Sequence, residues 1–314
     1  MKKIIIDSDT GSDDVVALIM ALRDPSVEVL GITTVSGNVE VNQATTNALQ
    51  SIDYANTYKP PVFKGIAKPL VCELEDATQV HGKDGMGDVG FRIPVQKAED
   101  EHAVDALIRL IDNGNGDIEL LCLGPLTNIA FAMMQAPAVM KKIPQITIMG
   151  GAHFYSNPHT PCAEYNIMAD PEAADIVFKF GVPITAVTLE ACQTNQAALN
   201  KEDIAKFKAA GKTAAFCMDC NKITIDLAKK ARGYEELELP DPVAYAVFSN
   251  PQLIKTSFNA QTIIELGGTY TRGTTVFRLR IGFFETDELI INSKIVTEVH
   301  GDAFKDYLFN LIKE

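Results

Sequence analysis

Residues 7–14 read Asp7-Ser8-Asp9-Thr10-Gly11-Ser12-Asp13-Asp14 and lie between the apolar run Ile4-Ile5-Ile6 and a longer apolar run from Val15 to Leu22. A short β-branched run that stops at Asp-x-Asp and Gly, then an apolar run too long for one strand, predicts a buried strand, a tight turn and a buried helix. Ser12 is the expected N-cap. In the strand Asp7 and Asp9 point to one side, and in the first helical turn Asp13 and Asp14 project back toward the strand end. Four carboxylates in eight residues therefore converge at one end of a sheet.

A helix macrodipole favours acids such as Asp13 and Asp14 by only about 0.3–1 kcal/mol. Two carboxylates about 5 Å apart repel by roughly 3 kcal/mol at an effective dielectric of 20, so several pairs exceed that gain. A cation must offset the repulsion. No Lys or Arg occurs between Lys3 and Arg23, so the expected counter-charge is a bound metal, and an all-oxygen donor set favours Ca²⁺ or Mg²⁺ over zinc. The same lack of bases predicts that a phosphate is repelled from this end of the sheet.

Working outward, 314 residues with 46% hydrophobic content and alternating strand-like and helix-like segments suffice for one large α/β domain over residues 1–314, with no linker in view. A net charge of −13 argues against a nucleic-acid surface or an anionic-membrane patch and favours small neutral or cationic ligands. Three isoleucines are too short for a signal h-region, and no apolar run approaches a membrane span, so a cytoplasmic protein is expected. The six cysteines are scattered, which argues against a disulfide framework. Cys217 and Cys220 form one CxxC without a second pair and read as residues of a helix face.

Val27 to Val35 reads as a second strand ending at Ser36-Gly37-Asn38, which completes a βαβ unit and hence a parallel sheet. Ligands of such sheets bind beyond the carboxyl ends of the strands, so Asn38 is either a reader of hydroxyls or a turn residue. A helix is expected over Val41 to Ala55. The stretch Pro69 to Phe91 has no clear period but contains His81-Gly82-Lys83-Asp84-Gly85-Met86-Gly87-Asp88, a candidate site loop or a surface loop. Further strands are predicted at Ile118 to Leu123, Gln145 to Met149 and Pro183 to Leu189, with helices at His102 to Ile111, from Leu126, from Pro171, near Glu202 to Ala210 and over Ala214 to Ala231. Glu164 and Asn166 bracket Tyr165 at the ligand-binding edge, a pattern suited to a polyol. Asp241, between Pro240 and Pro242, is the expected N-cap of a helix over Val243 to Phe248. Residues 261–295 read as antiparallel strands with a Gly267-Gly268 turn, and a helix follows from Gly301.

Taken together, Asp7 to Asp14, Asn38, Leu123-Gly-Pro-Leu-Thr-Asn128, Met149-Gly-Gly151, Glu164-Tyr165-Asn166 and Asp241-Pro242 resemble the nucleoside hydrolases, the inosine-uridine preferring family, in the right order over about 240 residues. The resemblance implies a mostly parallel, Rossmann-like open α/β sheet flanked by helices, with an antiparallel addition near the C-terminus. It implies Ca²⁺-dependent hydrolysis of the N-glycosidic bond of ribonucleosides by a homodimer or homotetramer. Asp9, Asp14, Asp241 and the Leu123 carbonyl would hold the metal, and Asp9 would also be the general base. Asp13, Asn38, Glu164 and Asn166 match ribose-binding positions, Met149 lines the sugar pocket, Tyr165 packs beside it, and His81 matches a histidine near the base.

The chain departs from the family pattern where inosine-uridine preferring members carry His-Asp: it has Pro240-Asp241, so the histidine often proposed to protonate the leaving base is missing. The sugar-contacting asparagine before Glu164 aligns with Asn157, one place out of register. The tyrosines typical of the lid helix do not occur across Asn221 to Ala228, and the family's Gly-x-Thr-Val-Val-Asp element reads Gly273 to Arg278. Two other functions compete. Asp7-Ser8-Asp9 also resembles the nucleophile loop of haloacid-dehalogenase-type phosphatases, although Gly11 and the Asp13-Asp14 pair do not fit. A non-catalytic ribonucleoside or ribose binder would keep the metal site without the acid.

Overall fold

The computed structural model describes residues 1–314 apart from 91–92, 154–161, 194–196 and 281–287. Its strands are β1 (Lys2–Ser8), β2 (Val27–Thr34), β3 (Val62–Lys64), β4 (Ile118–Cys122), β5 (Ile146–Met149), β6 (Ile184–Val187), β7 (Leu199–Asn200), β8 (Glu236–Leu237), β9 (Ile254–Ile264), β10 (Thr275–Arg278) and β11 (Ser293–Val299). Nine of them form one sheet in the order β10-β9-β11-β6-β5-β4-β1-β2-β3, and β7 pairs with β8 apart from it. Every pairing from β3 to β11 is parallel, and β9 runs antiparallel to both β11 and β10. This is the mostly parallel α/β sheet with a C-terminal antiparallel addition that the sequence predicts.

The alternation of β1 shows why its three isoleucines are needed. Ile4 and Ile6 pack into one core layer with the helices Ser12–Arg23, Pro240–Ser249 and Gly301–Ile312. Ile5 packs on the other side with Ala103–Asn113, Thr127–Gln135 and Pro171–Lys179. A parallel strand covered on both faces has no polar side, so it reads as a continuous apolar run. β1 pairs with β2 on one side and β4 on the other, and the sheet then grows outward in both directions. The order thus reverses between β1 and β4. A crevice opens beyond their carboxyl ends, where open α/β sheets place their ligands.

Four local expectations are corrected. The first helix is Ser12–Arg23 with Gly11 as N-cap, so Ser12 is its first residue rather than its cap. Asp241 is likewise inside its helix, Pro240–Ser249, because Pro240 takes the first position, where the missing N–H costs nothing. The single helix expected over Ala214 to Ala231 is two, Lys212–Asp219 and Lys222–Arg232. Asn221 stands between them and donates its side-chain amide to the Cys217 and Ser12 carbonyls, which competes with a continuous helix. The antiparallel region starts earlier than expected, at Ile254.

Candidate active site

Asp9 follows directly on β1 and is fully buried. Its Oδ2 accepts the Asn38 N–H at 2.7 Å, while Oδ1 has no hydrogen-bond partner among the described residues. Two glycines make room for it. A Cβ on Gly37 would lie 2.0 Å from Asp9 Oδ2, and one on Gly124 would lie 2.7 Å from Oδ1. The turns after β2 and β4 therefore close on this carboxylate from both sides.

Asp14 is held by Ser8 Oγ at 2.7 Å, the Gly11 N–H at 2.9 Å and Asn38 Nδ2 at 3.1 Å. The carboxylate oxygens of Asp13, Asp14 and Asp241 can all lie within 4.8 Å of one another. Oδ1 of Asp9, Asp13 and Asp241 is in each case buried with no hydrogen-bond partner among the described residues. Burial, and then the neighbouring acids, push the carboxyls of Asp9 and Asp241 well above the usual carboxylate range, and Asp14 is pushed up to about 7. Such crowding of unpartnered acceptors is what a cation would relieve. The donor set is entirely oxygen, so the residues fit a hard divalent ion. The structure brings Asp13 into this cluster, although the resemblance gave it to ribose.

The short helix Tyr165–Ala169 begins with Glu164 as its cap. Glu164 accepts the N–H groups of Gly151, Asn166 and Ile167, and burial nonetheless raises its carboxyl to about 7. Asn166 Nδ2 donates to the Leu123 carbonyl at 2.8 Å and to the Met149 carbonyl at 3.2 Å. Asn166 Nδ2 thus has a protein acceptor for each of its two protons, which leaves its Oδ1 to offer a hydroxyl, whereas Asn38 Nδ2 gives one proton to Asp14 and keeps a second donor beside its Oδ1. Tyr165 OH donates to the Glu75 carbonyl.

A cavity of about 460 Å³ opens over this cluster, with Asp13, Asn38, Leu123, Met149, Glu164, Tyr165, Asn166 and Asp241 on its wall. Asp9 and Asp14 lie behind that wall. His81 and Pro240 complete the list of sequence candidates that line it, and Asn157 lies outside the described residues. No Lys or Arg is among the described lining residues. His81 ends the one-turn helix Thr78–His81, and its Nδ1 faces Ser12 at the start of the first helix.

Sequence reasoning gave Asn128 no role. Its Nδ2 donates to Asp7 Oδ1 and to the Thr34 carbonyl, and its Oδ1 accepts the Ile66 N–H, so it ties the ends of β1 and β2 to the segment after β3. The only signal was its place in the Leu-Gly-Pro-Leu-Thr-Asn motif. Asp7 is buried and accepts from both Thr33 and Asn128, and it does not line the cavity. A phosphatase would need it there as nucleophile. Three acids of the cavity wall, Glu75, Asp76 and Glu238, also went unremarked, because long-range packing alone brings them to the site.

A sheet of this order, with acids and, among the described lining residues, no Lys or Arg at its switch point, has the architecture of an N-ribosyl hydrolase. The chain matches the inosine-uridine preferring nucleoside hydrolase family over residues 4–306 and belongs to it. It is 36% identical to the pyrimidine-specific ribonucleoside hydrolase RihB of Escherichia coli (strain SE11), over all of this chain and 96% of the relative. It is 37% identical to probable uridine nucleosidase 1 of Oryza sativa subsp. japonica over 80% of this chain and 77% of the relative. Its structure superposes on a purine-preferring ribonucleoside hydrolase from Gardnerella vaginalis with a TM-score of 0.89 and 30% identity, covering 99% of this chain and 98% of the other.

Proposed function

We propose that this nucleoside hydrolase is calcium-dependent and that Asp9 is its general base. The observation that carries the reading is the trio of buried carboxylate oxygens on Asp9, Asp13 and Asp241 at the switch point, without hydrogen-bond partners among the described residues and with no Lys or Arg among the described lining residues. Asp9, Asp14, Asp241 and the Leu123 carbonyl would hold the ion. Bound there, Ca²⁺ would offset the like charges and lower the pKa of a water in its shell.

Asp9 is suited to receive the proton of the attacking water. Its Oδ2 is fixed by the Asn38 N–H, and its Oδ1 has no hydrogen-bond partner among the described residues and so is open to receive a proton. Asp13, Asn38, Glu164 and Asn166 surround the ribose in this reading, with Met149 and Tyr165 packed against it. These acids also favour the oxocarbenium-like charge that develops on the sugar as its bond to the base breaks. His81 and Pro240 lie toward the base. The relatives named above differ in the bases they prefer, and both purine and pyrimidine ribonucleosides belong in the test. Free ribose is measured after incubation of each with calcium-loaded and chelated protein. Release that depends on calcium is expected. No ribose from any nucleoside, or full turnover without calcium, would overturn the reading.

A further inference from the structure

Ser12 begins the helix Ser12–Arg23, so its N–H is one of the donors that a helix leaves without an internal acceptor. It donates to His81 Nδ1 at 3.3 Å, and Ser12 Oγ lies 2.8 Å from the same nitrogen. A backbone N–H cannot reverse its role. Nδ1 is therefore an acceptor, and the ring carries its proton on Nε2. Asp13 Oδ1 lies 3.8 Å from Nδ1, beyond hydrogen-bond reach. His81 lines the cavity and Ser12 is not among its lining residues.

We propose that Ser12 is a positioning residue that holds His81 as its neutral, Nε2-protonated tautomer, a hydrogen-bond donor aimed at the leaving base. The inference rests on the nucleoside hydrolase reading above. A neutral imidazole pinned by a helix N-terminus polarises an acceptor and does not act as a strong acid. The water oxygen bonds to C1′, its proton goes to Asp9, and the C1′–N bond breaks with its electron pair passing to the base. His81 Nε2–H then stabilises the charge on a base acceptor atom next to the broken bond. The base takes its proton from solvent. Burial holds the His81 pKa below the ordinary imidazole value, in keeping with this neutral role.

Ser12→Pro is the direct test. Proline is favoured at the first position of a helix, and Gly11 already has the extended backbone (φ −88°, ψ −166°) that a residue before proline requires. The change removes the N–H and the hydroxyl together, and Ser12→Ala, which removes the hydroxyl alone, is the milder partner. Long-range ¹H–¹⁵N NMR on histidine-labelled protein, with His81 assigned by His81→Gln, should show Nε2 protonated and Nδ1 bare in the unsubstituted chain. In Ser12→Pro a mixture of tautomers is expected. That variant should lose at least about tenfold more turnover on uridine than on p-nitrophenyl riboside, whose leaving group needs no such donor. In a His81→Gln background Ser12→Pro should add nothing on either substrate, because the two act as one unit. A proton on Nδ1, or equal losses on the two substrates, overturns the inference while ribose release by the unsubstituted protein leaves the broader reading standing. No ribose release from any nucleoside overturns both.

Discussion

On the calcium reading proposed above, removing the metal should steepen the loss of this protein's stability as pH rises. In the metal-free chain burial and neighbouring acids hold Asp14 at about 7, and push Asp9 and Asp241 well above the usual range. An acid whose pKa is raised by folding binds protons more tightly in the folded state. Below about pH 4 both states are protonated and folding is not penalised. As pH climbs to about 7 the unfolded chain gains charge freely while the folded chain resists, so stability falls. Moving Asp14 alone from 3.8 to about 7 corresponds to roughly 4 kcal/mol, a large part of the 5–15 kcal/mol typical of a folded domain. If calcium occupies the site as proposed, the same carboxylates would be ionised in the folded state and their share of the penalty lifted. Asp7, raised to about 6 by burial, is not a proposed ligand and weighs equally on both forms.

The assay is urea unfolding followed by circular dichroism at about pH 5 and about pH 7.5, in chelator and in saturating calcium. Both forms should lose some stability toward the higher pH through Asp7 and Glu164, and the metal-free protein should lose clearly more. Calcium should therefore raise Tm more at the higher pH, by roughly 8 °C or more if 1 kcal/mol is worth about 2 °C in a chain of this size. Asp241→Asn removes one like charge whose Oδ1 has no partner. It should make the metal-free protein more stable at the higher pH and abolish most of the calcium response. Equal stabilisation by calcium at both pH values would refute the argument, as would a metal-free protein that gains stability between them.

Three further outcomes are expected. Gly37→Ala would place a Cβ 2.0 Å from Asp9 Oδ2, so it should cut ribose release at least about 10²-fold by displacing the base; near-normal turnover would show that Asp9 is not needed in this position. Ribonucleosides should be cleaved about 10⁴-fold or more faster than 2′-deoxyribonucleosides, because a site built to pair a hydroxyl rejects the analogue without it; equal rates on uridine and deoxyuridine would contradict the assignment of Asp13, Asn38 and Asn166 to the sugar. With Pro240 on the cavity wall, at the position where the family resemblance leads one to expect a histidine, p-nitrophenyl riboside should be hydrolysed about 10²- to 10⁴-fold faster than uridine. Pro240→His should narrow that gap, provided calcium content is unchanged.

What could be read from the sequence, and what could not, follows from the range of each interaction. Ile4-Ile5-Ile6 and the four acids after them are local features, and a strand, turn and helix in eight residues leave the carboxylates little choice of direction. That is why the open sheet and the clustering of Asp9, Asp13 and Asp14 at one end of it were legible, while the strand order that sets the switch point was not. The boundaries moved where one residue served two structures. Asn221 ends a helix because its amide reaches the Ser12 carbonyl across the site, and no pattern within 214–231 encodes a partner more than two hundred residues away. Asn128 escaped for the same reason, since its value lies in joining the ends of β1 and β2 to the segment after β3. Ser12 is the instructive case. Its composition and place before an apolar run signal a cap, and a cap would have turned its hydroxyl inward to the helix. Gly11 takes the cap position, with its N–H bonded to Asp14. The Ser12 N–H and hydroxyl are thereby released outward to His81, so the residue that the local code marks as structural is the one the fold turns toward chemistry.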